Sequence, residues 1–78
     1  MTTATDHHPP TDRQIAVLRW ASKFISDNGF SPTVREVSKA FQFASPNGAM
    51  AHLRPLRRKG LVTWNAKQPR TLRVLKEV

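Results

Sequence analysis

The sequence predicts a mainly α domain: three helices followed by a small β-hairpin. Three observations predict it. Apolar residues recur at helical spacing as far as Leu56 and alternate from Leu61 onward, so the period changes from 3.6 to 2 late in the chain. Two capping boxes, Thr11 with Gln14 and Thr33 with Glu36, open the first two helical stretches. Gly29, Pro46 and Gly60 stand where helices should stop or start.

The first helix is expected from Asp12 to Asp27, with Thr11 as N-cap. Its inward stripe is Val17, Leu18, Ala21, Phe24 and Ile25, with Trp20 widening the stripe or lying at its edge. Asn28-Gly29 ends it, and Phe30 and Ser31 run extended because Pro32 biases the preceding residue away from helix. The second helix starts after Thr33 and carries Val34, Val37, Ala40 and Phe41 on one face. It ends near Phe41 or Gln42. A short turn, Gln42 to Ala44, follows, from which Phe43 tucks into the core. In the third helix Ser45 is the N-cap and Pro46 takes the first helical position, where a missing N–H costs nothing. Ala49, Leu53 and Leu56 point inward and Gly60 terminates it. Pro55 conflicts with this plan, since an interior proline costs about 3 kcal/mol. The third helix is therefore expected to kink near Ala51 to Pro55 or to break in two. Strands follow at Leu61 to Trp64 and Arg70 to Leu75, joined by a turn from Asn65 to Pro69. Helix, helix, helix, hairpin is the order of a three-helix winged helix-turn-helix. Residues 11–75 form this domain, residues 1–10 a disordered arm and residues 76–78 a tail.

With 78 residues there is room for one small core, which supplies roughly 3–5 kcal/mol and leaves no deep interdomain cavity. Thirteen Lys and Arg oppose five Asp and Glu, a net charge of +8, which favours a polyanionic partner. From Val37 to Lys76 there are nine basic residues and no acid, and Arg54, Arg57, Arg58 and Lys59 crowd one helix end. A solvated basic surface is the bland reading. The coincidence of charge with two short tandem helices points instead to double-stranded DNA, whose major groove accepts such a pair. The lack of Cys excludes disulfides, cysteine zinc sites and thiol catalysis, and fits a reducing cytosol. No apolar run approaches the ~18 residues of a membrane span, and Met1 to Pro10 has no apolar signal core. The expected setting is cytoplasmic and nucleoid-associated, without membrane contact. No nucleophile with a nearby base can be argued, and His7-His8 implies no third metal ligand. No enzyme activity, metal or cofactor is expected.

Individual residues carry both functional and structural readings. Asn47 can pair with an adenine edge or a phosphate, or make a local hydrogen bond at the helix start. Ser45 is first an N-cap, compatible with a phosphate at the same helix end. Arg54, Arg57, Arg58 and Lys59 suit a helix C-terminus through its dipole. Four exceed what capping needs, so Arg54, Arg58 and Lys59 are assigned to DNA, with phosphate contact expected above all from Arg54 and Arg58. Thr33 and Arg35 open the second helix, a backbone-clamping position in helix-turn-helix proteins. Lys67 and Arg70 flank the wing tip and should reach phosphate or the minor groove. Trp64 is read as wing core rather than a stacking platform. Met50 either touches a thymine methyl or packs against a partner protein.

A set of spaced residues adds to this. Thr11-x-Arg13-Gln14, Gly29-x-Ser31-Pro32-Thr33-x-Arg35-Glu36-Val37, Phe43-x-Ser45-Pro46-Asn47, His52-Leu53, Leu56, Arg58-Lys59-Gly60 and Arg70-x-Leu72-Arg73 together resemble the N-terminal DNA-binding domain of the LexA SOS repressor family. The resemblance covers residues 11–75. It implies that the third helix enters the major groove and that the wing meets the backbone. It also implies that base readout lies at Ser45, Asn47, Gly48, Met50 and Ala51. His52, in that pattern, either orients the third helix or reaches a base or phosphate. The chain departs from the family at Met50 and Ala51, where the best-known bacterial members carry acidic residues that would read cytosine amino groups. Gly48 replaces a typical Ala, and Pro55 replaces a helix former. The family's peptidase half, with its Ser–Lys pair, self-cleavage site and most of the dimer interface, has no counterpart in these residues. The expectation is thus a LexA-like, sequence-specific repressor without self-cleavage, binding as a homodimer on a two-fold site. The alternative is a winged helix that binds a protein partner after losing specific readout, motivated by Gly48, Met50, Ala51 and Pro55. RNA binding is the weaker third reading, since no aromatic platform for stacking bases is evident.

Overall fold

The structure is a computed structural model that describes residues 9–76. The expected arm over residues 1–8, His7 and His8 included, and the last two residues of the tail lie outside the described residues. In order come α1 (Asp12–Asn28), α2 (Val34–Ala40), α3 (Pro46–Arg58), β1 (Val62–Thr63) and β2 (Arg73–Val74).

Both capping boxes form. The Thr11 hydroxyl accepts from the Gln14 N–H at 3.2 Å and the Thr11 N–H donates to Gln14 Oε1 at 3.1 Å. Thr33 and Glu36 do the same at 3.1 and 2.9 Å. Each box satisfies two N–H groups that a helix start would otherwise leave open. Gly29 adopts the left-handed conformation (φ 78) and donates its N–H to the Ile25 carbonyl.

Helix α2 has only seven residues. Val37 and Ser38 are its buried residues, with Val34 and Phe41 packed against the core. Ala40, expected on that face, is exposed. Helical periodicity carries it about a third of a turn away from the buried side. Ser38 sits on that side instead, and its hydroxyl donates to the Ser45 carbonyl at 2.9 Å. The turn is closed by the Phe43 N–H donating to the Ser38 carbonyl at 2.9 Å.

Ser45 holds the N-cap position of α3, but its side chain makes no capping hydrogen bond. Its carbonyl takes that load, accepting from Ser38 Oγ and from the Gly48 N–H at 3.0 Å. Pro46 at the first helical position removes one N–H that would need a partner. Of the kink or break expected at Pro55, the break does not occur: α3 is one helix from Pro46 to Arg58. Pro55 lies in its last turn, so few bonds follow it. The carbonyl it leaves without a helical donor belongs to Ala51, an exposed residue. The end is a Schellman arrangement. Leu61 N–H donates to the Leu56 carbonyl and Gly60 N–H to the Arg57 carbonyl, each at 3.0 Å, with Gly60 left-handed at φ 78.

The wing pairs β1 and β2 antiparallel, Val62 opposite Val74 and Thr63 opposite Arg73. Its strands are shorter than the expected Leu61–Trp64 and Arg70–Leu75. Arg70 is left-handed (φ 58) and cannot continue a strand. The Thr71 hydroxyl is held in the turn, accepting from the Asn65 N–H at 2.8 Å and lying 3.1 and 3.0 Å from the Asn65 and Gln68 carbonyls. The core gathers Val17, Leu18 and Ala21 from α1, Val37 from α2, Ala49, Leu53 and Leu56 from α3, and Leu61, Val62 and Leu72 from the wing.

Candidate nucleic-acid interface

Helix α3 divides into four strips by its own periodicity. Ala49, Leu53 and Leu56 are buried. On the opposite side Asn47, Ala51, Arg54 and Arg58, spaced four, three and four residues apart, form one exposed stripe. The Asn47 amide makes no side-chain hydrogen bond with another described residue, and Arg54 and Arg58 are in no ion pair among the described residues. The stripe thus offers one amide, one methyl and two guanidinium groups to an outside partner.

Gly48 and His52 lie on a third strip, against the turn and off the exposed stripe, whereas Lys59 is the half-buried C-cap residue at the far end of the helix. A Cβ on Gly48 would stand 2.8 Å from the Phe43 Cβ, so Phe43 presses closer to α3 than a larger residue at 48 permits. The glycine serves packing. His52 Nδ1 donates to the Gly48 carbonyl at 2.9 Å, and its ring stacks on Phe43 at 5.0 Å. Because a carbonyl only accepts, Nδ1 carries the hydrogen. The His52 ring thus braces the helix start. The stack continues from Phe43 to Phe41 at 5.9 Å, with the Arg13 guanidinium over both rings at 5.4 and 5.5 Å.

Met50 and Arg57 form the fourth strip, toward the wing. Arg57 stacks on Trp64 at 4.6 Å, which ties α3 to the hairpin. Trp64 packs against the core as expected. Met50 is half-buried in a groove of about 480 Å³ between the start of α2, α3 and the wing turn. Thr33, Arg35 and Lys67 share that groove with it. The Thr33 hydroxyl is engaged in its capping box, whereas Arg35 and Lys67 are exposed.

Arg70 requires a correction. It was expected to reach out from the wing tip, but its guanidinium turns inward. Nη1 donates to Glu36 Oε1 and to the Ser31 carbonyl, both at 3.0 Å, and Nη2 donates to Glu36 Oε2 at 3.1 Å. It also lies over the Phe30 ring at 4.9 Å. A two-pronged Arg–carboxylate pair fixes both groups. Arg70 ties the wing to the start of α2. Glu36 is accordingly held below its ordinary carboxyl range, chiefly by the Thr33 N–H and then by Arg70. Sequence reasoning missed this pair, as well as Arg13 and the Arg57–Trp64 contact. The one available signal was that Glu36 is the last acid before the acid-free run, and so the nearest carboxylate preceding the wing arginines in sequence.

Among the described residues no group of three or more His, Cys, Asp or Glu can hold a metal ion, and no helix is long and apolar enough to cross a membrane.

The family model for the LexA DNA binding domain matches residues 7–71. A LexA repressor of Anaeromyxobacter sp. is 45% identical over 62 residues, 80% of this chain and 27% of that protein. The LexA repressor of Thermotoga petrophila is 41% identical over 68 residues, 87% of this chain and 34% of its own length. That of Thermosipho africanus is 38% identical over 66 residues, 85% and 33% of the two chains. The chain therefore spans about a third or less of the length of these relatives. With residues 7–71 matched and the helix–helix–helix–hairpin order in place, the chain belongs to the LexA DNA binding domain family.

Proposed function

We propose that this chain is a sequence-specific, double-stranded DNA-binding transcriptional regulator that represses by occluding a promoter. The observation that carries this is the exposed stripe Asn47, Ala51, Arg54 and Arg58, set on the side of α3 opposite the core. A helix anchored by one face and offering an amide and guanidinium groups on the other fits a major groove. Asn47 and Ala51, near the helix start, face base edges. Arg54 and Arg58 neutralise phosphates, while Arg35 and Lys67 hold the backbone from both sides of the groove beside Met50. Arg70 acts indirectly, by setting the wing against α2. Two protomers bind a two-fold site in the cytoplasm, at the nucleoid. The family supports a binding role rather than catalysis.

The protein-partner alternative is weakened at two of its four motives. Gly48 is explained by Phe43, and Pro55 leaves α3 unbroken.

The test is selection from a random duplex library at physiological salt, read by sequencing. One enriched motif with two-fold symmetry is expected. Binding that enriches nothing and disappears as salt rises is mere electrostatic attachment, and the proposal fails.

A further inference from the structure

The exposed stripe limits which bases α3 can select. In the major groove, adenine presents an acceptor beside a donor and suits Asn, the thymine methyl suits an apolar contact, and the two guanine acceptors suit Arg. Cytosine offers an amino group and needs an acceptor such as a carboxylate. Between Pro46 and Arg58 there is no Asp, Glu or Gln. His52 adds no acceptor on this side, since its ring is turned onto Phe43 and bonded to the Gly48 carbonyl. The stripe therefore runs amide, methyl, guanidinium from Asn47 through Ala51 to Arg54.

Given DNA binding through α3, on which this inference rests, we infer that each half-site holds an adenine read by Asn47 and a thymine whose methyl packs on Ala51. No carboxylate on α3 is available to read cytosine, and Arg54 and Arg58 stay on the phosphates. Asn47 and Ala51 are separated by a rise of about 6 Å along the helix. With successive bases on a strand about 3.4 Å apart, the two recognised bases lie within about two base pairs of each other. Asn47 is at the second position of α3 and Ala51 one turn on, the part of a recognition helix that contacts base edges.

Two measurements on the selected site test this. Replacing each thymine in turn by uracil removes only the methyl. One position per half-site should lose about two- to fivefold in affinity, the loss expected for one buried methyl. Asn47→Asp keeps the side chain's shape but leaves only acceptors. The carboxylate sits in a first helical turn, where the dipole favours it, so the variant should fold, as circular dichroism will check. Its preference should move from adenine to cytosine at one position, read as the ratio of the two sites. If no thymine responds to uracil, or if Asn47→Asp keeps its adenine, the base assignment is overturned while DNA recognition stands. A library that yields no motif removes the proposed function itself.

Discussion

Gln42 is an exposed residue held at φ 57, a conformation that side chains other than glycine adopt only at a cost of about 1–2 kcal/mol. The geometry around it shows what the strain accomplishes. It reverses the chain between Phe41 and Phe43, so that the two rings stack at 5.9 Å and Phe43 reaches His52. Those contacts come from residues 41, 43 and 52, and none needs the Gln42 side chain. Gln42→Gly should therefore relieve the strain. Part of the gain is returned, because glycine adds about 0.4–1 kcal/mol of disorder to the unfolded chain. A net stabilisation on the order of 0.5–1 kcal/mol is expected. It would appear as a higher urea midpoint with an unchanged slope, and an unchanged or lower midpoint would show that Gln42 is not strained. Arg70 has the same backbone strain at φ 58, but its side chain carries three hydrogen bonds that glycine would forfeit.

At the scale of elements, Glu36 links two of them. Its carboxylate closes the capping box of α2 and receives the wing through Arg70. Its folded-state pKa lies below the ordinary 4.5, first through the Thr33 N–H and next through Arg70. A depressed carboxyl contributes stability that is fully present above the unfolded value and is lost as pH falls through the folded one. Urea midpoints should thus decline below pH 4.5. Glu36→Gln retains an oxygen for the Thr33 N–H but has no charge for Arg70. The variant should be less stable than the parent at neutral pH and converge with it in acid. Parallel curves would mean that the Arg70 pair adds nothing. Elements specified by neighbours three or four residues apart were legible in the sequence. Both capping boxes, the Gly29 and Gly60 stops, and the inward Ala49, Leu53 and Leu56 follow from local chemistry alone. The wing strands were overextended because their ends depend on Thr71 reaching back six residues to Asn65. The fate of Arg70 was hidden for the same reason, since its partner is 34 residues away. In the candidate site, basic residues could be counted but not oriented. Periodicity, fixed to the core, separates Arg54 and Arg58 on the open side from Gly48 and His52 against Phe43.

Across the whole molecule, charge and readout fall on different residues. The net charge of +8 gives attraction to any polyanion. Discrimination must come from the few groups on the open side of α3 that are not simply cationic. If Arg58 contacts one phosphate, Arg58→Ala should weaken every duplex by a similar factor and reduce the log–log salt slope by about 0.9. Asn47→Ala should leave that slope nearly unchanged and reorder the preferred sequences, because an amide releases no counterion but discriminates among base edges. Titrating both variants against the selected site and a scrambled duplex at several salt concentrations separates the two roles. Should both variants weaken all duplexes by a common factor, Asn47 is another backbone contact. Direct readout by the Asn47 amide is then overturned, and Ala51 is the one uncharged group left on the stripe.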